Sequence, residues 1–336
     1  MAGGSKTAVI GAISANSLVM VAKFAGFFMT GSGTMLAEGI HSAADVGNQA
    51  LLLVGMKRSQ QPPDEEHPFG YGRDAFIWSL MSAVGIFFVG CGVTVAHGVH
   101  ALLAGGEHDA GSSTLNLGIL TLALVAEGAS LAVAVRAIHA EAKARDLGFF
   151  EHVRTTDDPF GVAVLLEDTA AVLGVIIALV AVGLGALTHE HYWDGIGSIV
   201  IGVLLGGVAL FLMQKNRDML IGRSISEADR QRVRDLLEGD EAVEKVALQR
   251  AVIEGADSWR ISAEIELDGR HLANKWLEGK DPAEVYADAA DPDAFLGFLA
   301  EFADDIVEMT GDEVDRIEAR IREAIPRATN VDLEPD

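Results

Sequence analysis

Six apolar runs, each long enough to cross about 30 Å of hydrocarbon, fill the first two thirds of the chain. They are Ala8–Met29, Thr34–Met56, Phe76–Leu103, Leu115–His139, Pro159–Leu187 and Tyr192–Met213, and the pattern predicts six transmembrane helices. The third and fifth exceed the minimum length and have room to tilt. Met1-Ala-Gly-Gly-Ser-Lys6 lacks a charged n-region with a cleavage site, so the first run is expected to be a retained helix. After Arg223 the texture changes. Ser226 is placed to cap a helix running through Asp240, with Val233, Leu236 and Leu237 on one face. Val243–Ile253 and Trp259–Leu267 read as strands, the second alternating as Ile261, Ala263, Ile265 and Leu267. Val314–Ile325 returns to helical spacing through Val314, Ile317 and Ile321, and Thr329–Leu333 makes a last short strand. Residues 269–311 form an Ala-, Asp- and aromatic-rich insertion, expected to be partly helical. The expected architecture is an α-helical membrane domain, 1–220, followed by an α+β domain, 221–336, with helices on one face of a sheet.

Charge sharpens this division. Half the residues are hydrophobic and mean hydropathy is +0.28, yet the net charge is -24. From Gly222 onward lie 30 of the 49 acids but only 14 of the 25 bases, so most of the negative charge sits outside the apolar runs. Lys6, Lys57, Arg58, Arg73, Lys143, Arg145, Arg154, Lys215 and Arg217 flank the termini and the connections after the second and fourth runs. The other three connections, Thr30–Gly33, Ala104–Thr114 and Thr188–His191, contain neither Lys nor Arg. The positive-inside rule therefore predicts that both termini face the cytoplasm. Acidity of this degree excludes nucleic acid as a partner, and a lone Cys91 excludes an intrachain disulfide. No Gly-Lys-Ser/Thr phosphate loop is present, so neither nucleotide nor direct ATP drive is expected. Abundant Asp and an excess of Arg over Lys fit a salty cytoplasm, and a prokaryotic cell membrane is the expected location.

The chemistry begins in the second run. Glu38, His41, Asp45, Asn48 and Gln49 lie among Leu, Ala, Val and Gly, where ionisable groups cost a few kcal/mol each and usually line a substrate path. His41 and Asp45 are four apart and share a helix face. An imidazole and a carboxylate one turn apart suit a borderline divalent ion such as zinc.

Six runs, an acidic tail and His-x-x-x-Asp in the second run resemble the cation diffusion facilitator family. Asn16 and Lys23 in the first run, Gly31-Ser-Gly33, His67-Pro-Phe-Gly-Tyr-Gly-Arg73 and Asp194-Gly-Ile-Gly-Ser-Ile-Val-Ile-Gly202 match its landmarks in order. Glu167-Asp168-Thr-Ala-Ala-Val-Leu-Gly174 and the long insertion are most similar to the branch containing zinc transporter nine. The resemblance implies a dimeric metal-ion/proton exchanger in the bilayer, with a ferredoxin-like cytoplasmic domain and no prosthetic group. It also implies that Asp168 joins His41 and Asp45. The partner position four residues before Asp168 is Val164, which cannot bind metal. Glu167, about 100° around the helix from Asp168, and Glu127, mid-span in the fourth run, are the acids available to complete the site.

Other polar groups have plainer readings. Glu38, Asn48 and Gln49 suit packing or support of the ligands, and Asn16 a bond to backbone. Asp64-Glu65-Glu66-His67 reads as a solvated acidic turn before it reads as an accessory ion site. His97 and His100 read as interfacial histidines, His189 and His191 as a polar loop, and Cys91 as a small core residue. The predicted function is export of a divalent transition metal, Zn²⁺ first, in exchange for protons. Mn²⁺, Fe²⁺ or Co²⁺ remain open as cargo, as do a non-transporting membrane subunit and a passive cation channel.

Overall fold

A computed structural model describes residues 2–30, 33–104, 113–188, 190, 192–289 and 291–336. At 2–5, 27, 30, 33–41, 104, 113–117, 119, 182, 186 and 194 only the backbone is described. The chain divides into two compact units: Met1–Ile221 with the turn Gly255–Asp257, and Gly222–Glu254 with Ser258–Asp336.

The first unit is helical. Its elements are α1 (Ala2–Thr30), α2 (Gly33–Arg58), α3 (Asp74–Gly85), a π-helical stretch (Ile86–Val93), α4 (Thr94–Ala104), α5 (Ser113–Ala144), α6 (Phe149–Thr155), α7 (Pro159–Thr188) and α8 (Tyr192–Ile221). Among the described residues, five stretches are long and apolar enough to cross a membrane: Lys6–Gly26, Asp74–Leu103, Leu120–Ala144, Pro159–Gly185 and Gly195–Ile221. α2 is 26 residues long, but Asp45, Asn48 and Gln49 interrupt its apolar character. Leu18, Val21, Phe88, Val125 and Val203 are exposed while Gln49, Glu167, Asp168 and Asn216 are buried. That inversion is what lipid, rather than water, as the outer solvent produces.

Small residues allow close helix packing. A Cβ on Gly55 of α2 would lie 2.4 Å from Trp78 Cβ of α3, and one on Gly202 of α8 would lie 2.5 Å from Val95 Cγ2 of α4. Such contacts replace the hydrophobic drive that lipid does not supply. In the connection after α2, Gly70 has φ +77°, a conformation that favours glycine and closes the His67–Arg73 motif as a tight turn.

The second unit runs α9 (Glu227–Glu238), β1 (Val243–Gly255), β2 (Ser258–Leu267), α10 (Gly269–Leu277), α11 (Pro282–Asp288), α12 (Pro292–Ala324) and β3 (Ala328–Pro335). Ser226 caps α9 as expected, its Oγ accepting from Asp229 N at 3.1 Å. β1 and β2 join through a two-residue turn, the connection that antiparallel neighbours use. β2 pairs parallel with β3, with Ile261 opposite Val331 and Ala263 opposite Leu333, giving sheet order β1-β2-β3. Val233, Leu237, Ile261, Ile265, Ile317 and Ile321 form its buried interior. The small α+β domain is therefore present, with three strands among the described residues and an isolated antiparallel bridge from Ser224 to Val252 just before α9.

The last helix differs from expectation. It begins at Pro292 rather than Val314, and continues through Gly311 without a break. Asp291 accepts from Asp293 N and Ala294 N at 3.0 and 2.9 Å, and Pro292 supplies a preset first-turn φ. Trp276 packs edge-on to Phe302 at 4.9 Å and to Phe298 at 5.8 Å, so the early turns rest on an aromatic cluster.

Candidate functional site

Two adjacent acids on α7 form the centre of the polar interior. Successive helix residues point about 100° apart, so Glu167 and Asp168 reach different neighbours. Asp168 Oδ2 accepts from Ser130 Oγ of α5 at 2.6 Å. Glu167 Oε1 accepts from Asn48 Nδ2 of α2 at 3.3 Å. Asp168 is 3% exposed and Glu167 6%. Asp45, half-buried on α2, lies close enough for its charge to act on both. Three carboxyl groups from two helices thus share one interior region, a concentration of like charge that calls for a cation or protons.

The other expected ligands fall into place unevenly. Glu127 is buried one turn before Ser130 on α5, on the helix face that supplies the hydroxyl to Asp168. Val164 is fully buried in the apolar core with Phe160 and Ala163, so the position one turn before Asp168 supplies no donor. The side chains of His41 and Glu38 lie outside the described residues. Among the described residues, no three His, Cys, Asp or Glu groups converge tightly enough to hold an ion.

Further polar groups are buried on the other helices of this unit. Asn16 is buried on α1, and Lys23 Nζ of the same helix donates to Ser42 Oγ of α2 at 2.9 Å. Gln49, one turn beyond Asp45, is fully buried, and its amide has no hydrogen-bond partner among the described residues. Asn216 Nδ2 of α8 donates to Ser79 Oγ of α3 at 3.1 Å.

Ser130 was not singled out from sequence. Its signal is its place one turn after Glu127 in an apolar span. Lys215 was read only as a flanking charge. It is buried, and its ammonium donates to the carbonyls of Thr156, Val153 and Arg154 at 2.8, 3.1 and 3.4 Å. A cation on the last carbonyls of α6 complements the negative end of that helix. Beside it, His152 Nε2 lies 3.5 Å from Glu141 Oε2, and Arg145 pairs with Asp157 at 3.5 Å.

The acidic turn consumes its own carboxylate. Asp64 Oδ2 accepts from the Tyr71 hydroxyl at 2.7 Å, while Oδ1 accepts from the backbone of His67 at 2.7 Å and of Glu66 at 3.1 Å. The Tyr71 bond, then the His67 backbone bond, hold the Asp64 carboxyl below its ordinary range. His97 and His100 are exposed on α4, and Cys91 is half-buried beside Gly206. His189 and His191 lie outside the described residues.

Buried acids held by neutral donors from neighbouring helices define a membrane protein with an acidic interior. Residues 9–221 match the family model described as the cation efflux transmembrane domain, and the chain belongs to this family, the cation diffusion facilitators. The family comprises transporters, not enzymes. The chain is 38% identical over 336 residues to "Proton-coupled zinc antiporter SLC30A9, mitochondrial" of Homo sapiens, covering 98% of this chain and 58% of that protein. It is 36% identical over 336 residues to "Metal tolerance protein C4" of Arabidopsis thaliana, covering 98% and 73%. A third relative, "Manganese efflux system protein MneP" of Bacillus subtilis, is 28% identical over 220 residues, covering 66% and 69%. The chain therefore spans under three fifths of the human relative. The two relatives matched over 98% of this chain come from an animal and a plant, so these comparisons do not support the expected prokaryotic membrane.

Proposed function

We propose that this protein is a six-span secondary transporter that exports a divalent transition metal, Zn²⁺ first, from the cytoplasm in exchange for protons. α2 is the second span and carries His41 and Asp45 to the site. Asp168 is the third ligand, and Glu127 or Glu167 the fourth. The observation that carries the reading is the pair Glu167 and Asp168, buried, adjacent and each held by a different helix beside Asp45. Metal and protons compete for the same ligand atoms, so an inward-facing site exchanges protons for metal and an outward-facing one reverses the exchange. The Lys/Arg distribution supports cytoplasmic termini, and the names of the human and plant relatives support metal as cargo. The protein is read as a homodimer in the bilayer, following the resemblance.

The test is zinc flux into vesicles holding the purified full chain under an imposed pH gradient. Asp45→Asn and Asp168→Asn are expected to abolish it. Undiminished zinc flux in Asp168→Asn sinks the assignment, and flux indifferent to the pH gradient indicates a channel. A second cargo has its own support: the manganese efflux relative, and a site where Val164 leaves carboxylates to outnumber histidine. Harder oxygen-rich sites favour Mn²⁺ over Zn²⁺, so parallel fluxes of the two metals decide between them.

A further inference from the structure

The first half of α12 has two apolar faces, and only one is occupied. Phe298 and Phe302 pack on Trp276, whose Nε1 donates to Asp305 Oδ2 at 2.7 Å. A second stripe runs Leu296, Leu299, Ala300, Ala303 and Val307, the i, i+3, i+4, i+7 spacing of one helix face. Leu296 is 64% exposed, Leu299 47% and Val307 72%. Soluble surfaces rarely leave a contiguous apolar stripe of this kind open unless something docks there.

Charge identifies the occupant. Residues 281–315 hold 12 acids and no Lys, Arg or His. On the helical wheel, Asp293, Glu301, Asp304 and Glu308 fall along one side of the stripe, and all four are exposed. A second copy of this face would bring the same four rim acids and no base to neutralise them. An anionic lipid surface is repelled for the same reason. We propose that this face of α12 docks a basic amphipathic helix of a partner protein, its apolar side on Leu296, Leu299 and Val307 and its Lys or Arg along the acidic rim. The inference is independent of the transport reading, since the stripe belongs wholly to the second unit.

The test uses the full chain in vesicles of neutral lipid, with photo-reactive benzoylphenylalanine in place of Val307. The probe is a synthetic helical peptide bearing Leu on one face and Lys on the other. Photo-cross-linking to this peptide is expected, falling about tenfold when salt is raised from roughly 50 to 500 mM. A Glu/Leu peptide is expected to give no adduct, and Leu299→Asp to lower the Lys/Leu adduct about tenfold. The exposure of Leu299 keeps that variant folded, and unchanged tryptophan emission checks it. Three results overturn the proposal: no adduct with the Lys/Leu peptide, equal adducts with both peptides, or a chain-to-chain adduct without peptide, which would show that a second copy covers the stripe.

Discussion

Ser130→Ala is the most direct probe of the interior site, because it removes a single hydroxyl and no charge. The Ser130–Asp168 bond, at 2.6 Å, falls within the short range of charge-assisted hydroxyl–carboxylate contacts. Bonds to charged groups contribute about 1.5–3 kcal/mol net, which is roughly 10- to 150-fold in an equilibrium constant. Groups that orient a metal ligand typically cost about 10–100-fold in affinity when removed, so two independent routes reach the same magnitude. Ser130→Ala is expected to raise the half-saturating zinc concentration for vesicle flux by about 10–100-fold. Ser130→Thr, which keeps the hydroxyl, is expected to stay near wild type. The assay is initial zinc flux against external zinc at fixed pH gradient, with protein per vesicle measured by immunoblot. A Ser130→Ala curve within about twofold of wild type would refute the reasoning, because Asp168 would then be ordered without α5.

Three further outcomes follow from packing and charge. Lys215→Met removes the cation from three carbonyls at the end of α6; it is expected to cost about 2–4 kcal/mol and to lower the thermal midpoint of the purified chain, seen by scanning fluorimetry. Gly55→Ala places a methyl 2.4 Å from Trp78 Cβ and is expected to cost about 1–3 kcal/mol as overpacking, read by the same scan. In the second unit, burial pushes Asp240 and Glu313 up but is outweighed, by Arg316 and Arg320 at Asp240 and by Lys275 and Arg316 at Glu313, so both carboxyls sit below their ordinary values. The sign is that of an acid with a depressed folded-state value: the stabilisation is complete above about pH 5 and is lost as pH falls through the folded values. Tryptophan emission of the full chain during acid titration is expected to show loosening of this unit at higher pH in Arg316→Gln than in wild type.

Apolar run length made the long membrane helices legible, because it answers to a bulk property of the bilayer, its thickness. Ser226, Ile261, Ile265, Ile317 and Ile321 were equally readable, since capping and alternation are local. α6 was missed because its seven residues carry little signal and depend on Lys215 from a helix about 60 residues away. The early start of α12 was missed because Gly311 and the run of Asp looked like insertion. Tertiary support from Trp276 overrides the weak helix propensity there. At the site, Asp168 and Glu167 could be named from the span that holds them, but their donors could not. Which of Asn48 or Ser130 meets which acid depends on helix rotation, and each position has similar local surroundings in sequence.

The π-helical stretch Ile86–Val93 has a consequence for phase. Ser79 touches Asn216, Gly90 approaches Leu205 and Gly98 approaches Gly195 and Ile199, so this span meets α8 from one end to the other. Nineteen residues separate Ser79 from Gly98, and at about 100° each a uniform α-helix would arrive turned roughly 100° away from α8. Bonding from i to i+5 takes more residues per turn and winds the chain more slowly over that interval. The lag runs against the drift, much as a leap day brings a calendar back towards the year. A helical wheel drawn at constant pitch therefore shifts the residues after Val93 out of phase with those before Ile86.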